Sequence, residues 1–132
     1  VIERGNPADS TLAVEMIKRL KGITGRTPRE VSFDGGFASK DNLKKLKEEV
    51  RVQEVVFSKK RGLKINEMVS DSWIYKALRN FRAGIEGVIS FLKRALGLDR
   101  CNWKGWDGFQ SYVWSSIVSA NLLIMARHRL AK

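Results

Sequence analysis

The sequence predicts an α/β fold, ordered strand–helix–strand–helix–strand and followed by long C-terminal helices. Three observations carry this. Apolar residues in Leu12–Leu20 and Leu43–Val50 recur at helical spacing. Short runs rich in Val and Phe lie beside them, at Glu30–Phe33 and Val52–Ser58. From Asp71 onward the apolar period is helical.

The elements follow in order. Val1-Ile2-Glu3 reads as the end of a strand, so the chain is expected to be cut from something longer. Pro7-Ala8-Asp9-Ser10 turns into a helix, with Asp9 or Ser10 as N-cap. Leu12, Ala13, Met16, Ile17 and Leu20 form its apolar face, and Gly22 and Gly25 stop it. Glu30-Val31-Ser32-Phe33 is a short strand ending at Asp34, and Gly35-Gly36 turns the chain. Ser39 caps the next helix, through Leu43, Leu46 and Val50. Val52 to Ser58 is another strand, and Lys59-Lys60-Arg61-Gly62 a basic connector. Residues 63 to 71 give no clear signal. A helix then runs from Asp71 to about Leu98, and its core stripe is Ile74, Leu78, Phe81, Ile85, Ile89, Leu92 and Leu96. A break at Gly105-Trp106-Asp107-Gly108 leads to a last helix over Phe109–Leu130. All 132 residues are read as a single domain, with a strand/helix half (1–60) and a helical half (61–132).

Composition narrows the function. Hydrophobic residues are 43% and charged residues 30%, a globular balance. No apolar run approaches the ~20 residues of a membrane span, and no signal-peptide pattern opens the chain. Cys101 and His128 are each alone, which excludes a disulfide framework, a Cys-based zinc site and a His-cluster site. Lys and Arg total 25 against 14 Asp and Glu, a net charge of +11. Such a basic chain usually meets a polyanion, most often nucleic acid. Residues 61–132 hold 12 basic and five acidic side chains, so the helical half is the more basic.

The charges on the long helix form a pattern. At about 100° per residue, Arg82, Lys93, Glu86 and Arg79 fall within about 60° of one another, beside the core stripe. One carboxylate is thus flanked by three cations. A solvated face with an i,i+4 Arg–Glu pair, worth ~0.3–0.5 kcal/mol, is the plainer reading of the helix alone, and an acid that holds a metal while its neighbours grip phosphates is the functional one. Gly84 and Gly87 flank Glu86, and each costs about 1 kcal/mol relative to Ala inside a helix. They would let a backbone or a DNA strand approach closely, or they mark a break. Asp34 is the second acid, at the end of a strand where α/β sheets bind ligands. A turn-forming Asp before Gly is the plainer reading. Asp34 and Glu86 together could hold Mg²⁺. Asp9 is the only early candidate for a third carboxylate, and an N-cap suits it better.

Three segments resemble the DDE transposases of bacterial insertion sequences. Gly5-Asn6-Pro7-Ala8-Asp9-Ser10-Thr11-Leu12 resembles a G-N-x-x-D-S-x-L segment. Ser32-Phe33-Asp34-Gly35-Gly36-Phe37-Ala38-Ser39 resembles the D-x-G-[YF]-x-S segment that bears the second catalytic Asp. Arg82-Ala83-Gly84-Ile85-Glu86, with Lys93 beyond, resembles the Y-x2-R-x3-E-x6-K signature that bears the catalytic Glu. The signature's Tyr position holds Arg79, with Phe81 nearby.

The resemblance implies a partial RNase H-like fold. It implies Asp34 and Glu86 as catalytic and metal-binding acids, and two Mg²⁺ (or Mn²⁺) ions in a complete site. It implies in-line phosphoryl transfer, cutting transposon ends and joining them to target DNA. Its partners are double-stranded DNA, at inverted repeats and target, and a second copy of the chain. Arg82, Lys93, Arg79, Arg94 and Lys104 are the DNA-binding candidates. The implied location is the cytoplasm of a prokaryotic cell, at the nucleoid. The family's first catalytic Asp lies on a strand upstream of the G-N-x-x-D-S segment, so this chain is expected to lack it and to be inactive alone. Asp34's strand would then keep an unpaired edge, leaving the chain poorly folded or completed by another segment or copy. A DNA-binding remnant without catalysis, another RNase H-like nuclease and a structural basic protein are the competing readings. Trp103, Trp106, Phe109, Tyr112 and Trp114 are read mainly as core, with Trp103 or Trp106 the better base-stacking candidate. Arg127-His128-Arg129 and Lys132 are read as a solvated basic tail.

Overall fold

A computed structural model describes residues 2, 4, 5 and 7–131. It divides into two compact units, residues 1–84 and 85–132. The expected first strand falls on Val1 and Glu3, which lie outside the described residues, as do Asn6 and Lys132.

The α/β expectation holds. In the first unit, helix α1 (Asp9–Thr24) precedes strand β1 (Glu30–Phe33), a 3₁₀ turn (Gly35–Phe37), helix α2 (Lys40–Glu48) and strand β2 (Glu54–Phe57). Helix α3 (Ile65–Met68) and the start of helix α4 (Ser72–Leu96) complete it. The two strands pair in parallel, from Glu30 opposite Glu54 to Phe33 opposite Phe57. Such a pair needs a crossover, and α2 supplies it. Every residue of β2 is buried, as a parallel strand covered on both faces requires. Phe57, Leu46, Met68 and Val52 form the centre of the core, with Ala13 and Ile17 of α1 against it.

Local chemistry sets the boundaries. The N-cap of α1 is Ala8, not Asp9 or Ser10. The carbonyl of Ala8 accepts from the Thr11 hydroxyl at 2.7 Å, and Asp9 occupies the first turn instead. Gly22 is inside the helix, and Gly25, at φ 70°, ends it. Met16 and Leu20 of the expected apolar face are exposed. Ser39 caps α2 as expected, its Oγ accepting from the Asn42 amide at 3.0 Å. The segment without a sequence signal contains α3, whose first turn is held by Glu67 Oε2 accepting from Lys64 N at 2.8 Å. Asp71 Oδ1 accepts from Trp73 N at 2.7 Å and starts α4.

The second unit holds the rest of α4 and helix α5 (Gly105–Leu130). The helix α5 begins four residues before the expected Phe109. Gly105 stands at its first position with φ 76°, and Asp107 places a carboxylate in the first turn, where the helix dipole favours it. A Cβ on Gly108 would lie 3.2 Å from that of Trp103, so this glycine admits a close neighbour and does not break the helix. The buried positions of α5 are the small residues Ser116 and Ala120. Ser116 Oγ donates to the Leu96 carbonyl at 3.2 Å, and the Tyr112 hydroxyl donates to the Gly97 carbonyl. Of the aromatic residues expected in the core there, Trp103, Phe109 and Trp114 are exposed, and Trp106 and Tyr112 are only partly buried. Arg127-His128-Arg129 form the last turn of α5 and are exposed, as the solvated basic end was expected to be.

The expected stripe on α4 is corrected in the same way. Tyr75 and Leu78 are buried, whereas Phe81, Ile85 and Ile89 are exposed. Phe81 is 72% accessible, so its apolar spacing reflects no burial within the described residues. The helix runs unbroken through Gly84 and Gly87.

Candidate active site

Asp34 stands at the C-terminal end of β1, where the chain leaves the sheet. Parallel pairing determines its neighbours. The Ser58 amide donates to the Phe33 carbonyl at 3.0 Å, which carries the ladder one residue past β2. Ser58 is thereby placed beside Asp34, and its Oγ donates to Asp34 Oδ1 at 2.8 Å. The Gly35 amide donates to the same oxygen at 2.6 Å, and Arg82 Nη2 approaches it at 3.1 Å. All described contacts of this carboxylate fall on Oδ1.

These contacts favour the ionised form. The Ser58 hydroxyl holds the Asp34 carboxyl below the usual carboxylate range, helped by the Gly35 amide, the Arg82 guanidinium and the Lys59 charge, and opposed by partial burial. Asp34 is an anion at neutral pH with its side chain 56% accessible, whereas that of Arg82 is only 24% accessible.

The loop is shaped by what covers it. A Cβ on Gly35 would lie 2.8 Å from the Lys59 side chain, and one on Gly36 would overlap Asp9 Oδ2. Both glycines make room for a charged side chain against the backbone. Asn42, 5% accessible, braces the same loop. Its amide nitrogen donates to the Ser10 carbonyl at 2.7 Å and to the Phe37 carbonyl at 2.9 Å. The start of α1 and the turn after Asp34 are thus tied through one side chain.

The site residues expected from sequence are placed as follows. Asp34 and Arg82 are brought together in the first unit. Arg79 and Arg82 line one cleft, with Ser58 in its wall. Glu86, Lys93 and Arg94 are exposed on α4 in the second unit, and Lys104 is the exposed N-cap of α5. Among the described residues, no group of three or more His, Cys, Asp or Glu side chains forms a metal-ion cage. No helix of the described residues is long and apolar enough to cross a membrane. Sequence reasoning missed Ser58, Lys59 and Asn42 as parts of the site. Ser58 lies 24 residues from Asp34, and only the register of the strand pair joins them.

No curated protein and no solved structure gives a significant match to the chain. A family model, the transposase DDE domain, matches residues 1–122, which include Asp34, Arg82 and Glu86. With nearly the whole sequence matched, the chain belongs to the transposase DDE domain family, a family of DNA-cutting enzymes.

Proposed function

We propose that the chain takes part in DNA transposition by divalent-metal-dependent, in-line phosphoryl transfer, cutting transposon ends and joining them to target DNA. The carrying observation is Asp34, an ionised carboxylate at the end of a parallel strand, with Ser58 and Arg82 on one of its oxygens. Asp34 and Glu86 are the metal-binding acids in this reading. Carboxylate oxygens suit Mg²⁺ or Mn²⁺, and the Oδ2 edge of Asp34 is the donor left by the described contacts. A divalent metal held by Asp34 and Glu86 would supply activation of the attacking oxygen and charge stabilisation of the leaving one.

The chain's own residues have separate duties. Ser58 and Gly35 keep Asp34 charged and oriented. Arg82 and Arg79 hold phosphates, with Lys93, Arg94 and Lys104 as further DNA contacts. Self-association and action at the nucleoid belong to the same reading.

The test is Mg²⁺-dependent nicking of transposon-end DNA by the complete transposase that contains this chain. Glu86→Gln and Asp34→Asn are expected to abolish nicking while duplex binding stays within about twofold of the parent. Nicking at the parent's rate by Glu86→Gln would remove Glu86 from the chemistry.

A further inference from the structure

One cavity, of about 720 Å³, lies between α1 and α2, and its walls carry three carboxylates and two lysines. Those charges are partly matched already, with Lys45 on Asp41 at 2.6 Å and Lys18 near Glu49 at 3.7 Å. It has no preference for an anion. The cleft beside Asp34 differs. It encloses about 420 Å³ and is lined by Ser58, Lys76, Arg79, Asn80, Arg82 and Ala83. Three of these are cations and none is an acid. Among the described ion pairs only Arg82 has a carboxylate partner, Asp34, and neither Lys76 nor Arg79 takes part in one.

We propose that this cleft seats consecutive phosphates of one DNA strand, and that Lys76 and Asn80 are strand-binding residues. The inference rests on the DNA reading above and extends it one turn towards the N-terminus of α4, outside the R-x3-E-x6-K spacing. Three observations carry it. Lys76, Arg79 and Arg82 recur every three residues, so they form a row along one side of α4. At 1.5 Å per residue, the row from 76 to 82 is about 9 Å long. That exceeds one tetrahedral phosphate and spans between about two and three axial steps of 3.4 Å along a DNA strand. A free phosphate ion would use one end of the row and leave the other cations unmatched. Finally, Ser58 belongs to the cleft wall and donates to Asp34, so a strand held in the cleft passes directly beside the candidate catalytic carboxylate. Asn80 adds a neutral donor for a phosphate oxygen, as polar side chains commonly do on DNA backbones.

The experiment is fluorescence anisotropy of a labelled duplex with the full 132-residue chain over a series of salt concentrations. Lys76→Ala is expected to weaken binding about tenfold and to lower the log–log salt slope by about one, equally for duplexes of unrelated sequence. Lys76→Arg, which keeps the charge, restores both. Lys21→Ala on α1 is the control for a bulk loss of charge. Equal behaviour of Lys76→Ala and Lys21→Ala, with the parent binding duplex well, overturns the cleft and leaves the DNA reading standing. Failure of the parent chain to bind any duplex overturns both. Inorganic phosphate is titrated separately, and its saturable binding without duplex binding reassigns the cleft to a free anion.

Discussion

Asp34 depends on Ser58 more than on any charged neighbour. The hydroxyl is the largest cause of its lowered pKa, ahead of the Arg82 guanidinium. A lowered folded value means that these contacts stabilise the fold fully above the ordinary Asp value, about 3.9, and lose that contribution as pH falls through the folded value. Ser58→Ala is therefore expected to move the Asp34 midpoint up towards the ordinary range, read by carboxyl carbon NMR across acid pH. An unchanged midpoint would show that Arg82 and the Gly35 amide suffice. At this scale the sequence was partly legible. Asp34 stood out because an acid before Gly-Gly at a strand end is a compact local pattern. Ser58 and Asn42 did not, because each acts through a contact 24 to 32 residues away. Asp9 was misplaced by one position, since Ala8 supplies the cap carbonyl and the Asp9 carboxylate lies over Gly36.

Among the elements, those with local punctuation were legible. The Glu30–Phe33 strand matches its expected range, and the Ser39 cap and the Gly25 terminator act as expected. Elements whose cues run against propensity were not. Gly105 and Gly108 read as a break, yet one starts α5 and the other meets Trp103. Four residues are too few for a period, so α3 gave no signal. The glycines of α4 sharpen this. A Cβ on Gly84 or Gly87 would meet nothing within 4 Å, so neither serves packing among the described residues. Gly87→Ala is accordingly expected to stabilise the chain by about 0.5–1 kcal/mol in urea unfolding. Loss of stability would mean that another surface covers that position. Lower duplex affinity in the same variant would place a DNA strand against the glycine.

For the whole molecule, the net charge of +11 and the family match point to one substrate class, and the described residues supply one anion and several cations at the end of a parallel sheet. The core is concentrated in the first unit, where β2 is wholly buried. The apolar period of α4 overstated burial because spacing reports a face and not what covers it. Phe81, Ile85, Val88 and Ile89 are exposed, and so are Trp114, Val118 and Leu122 of α5. Asp34 as a metal-binding carboxylate is the point on which the proposed chemistry turns. The most direct measurement is Mn²⁺ titration of the chain, following the electron paramagnetic resonance signal of free Mn²⁺, for the parent and for Asp34→Asn. The parent is expected to deplete free Mn²⁺, and Asp34→Asn to bind it at least about tenfold more weakly, since an amide replaces a charged oxygen donor. Superimposable isotherms for the two proteins would contradict that role for Asp34.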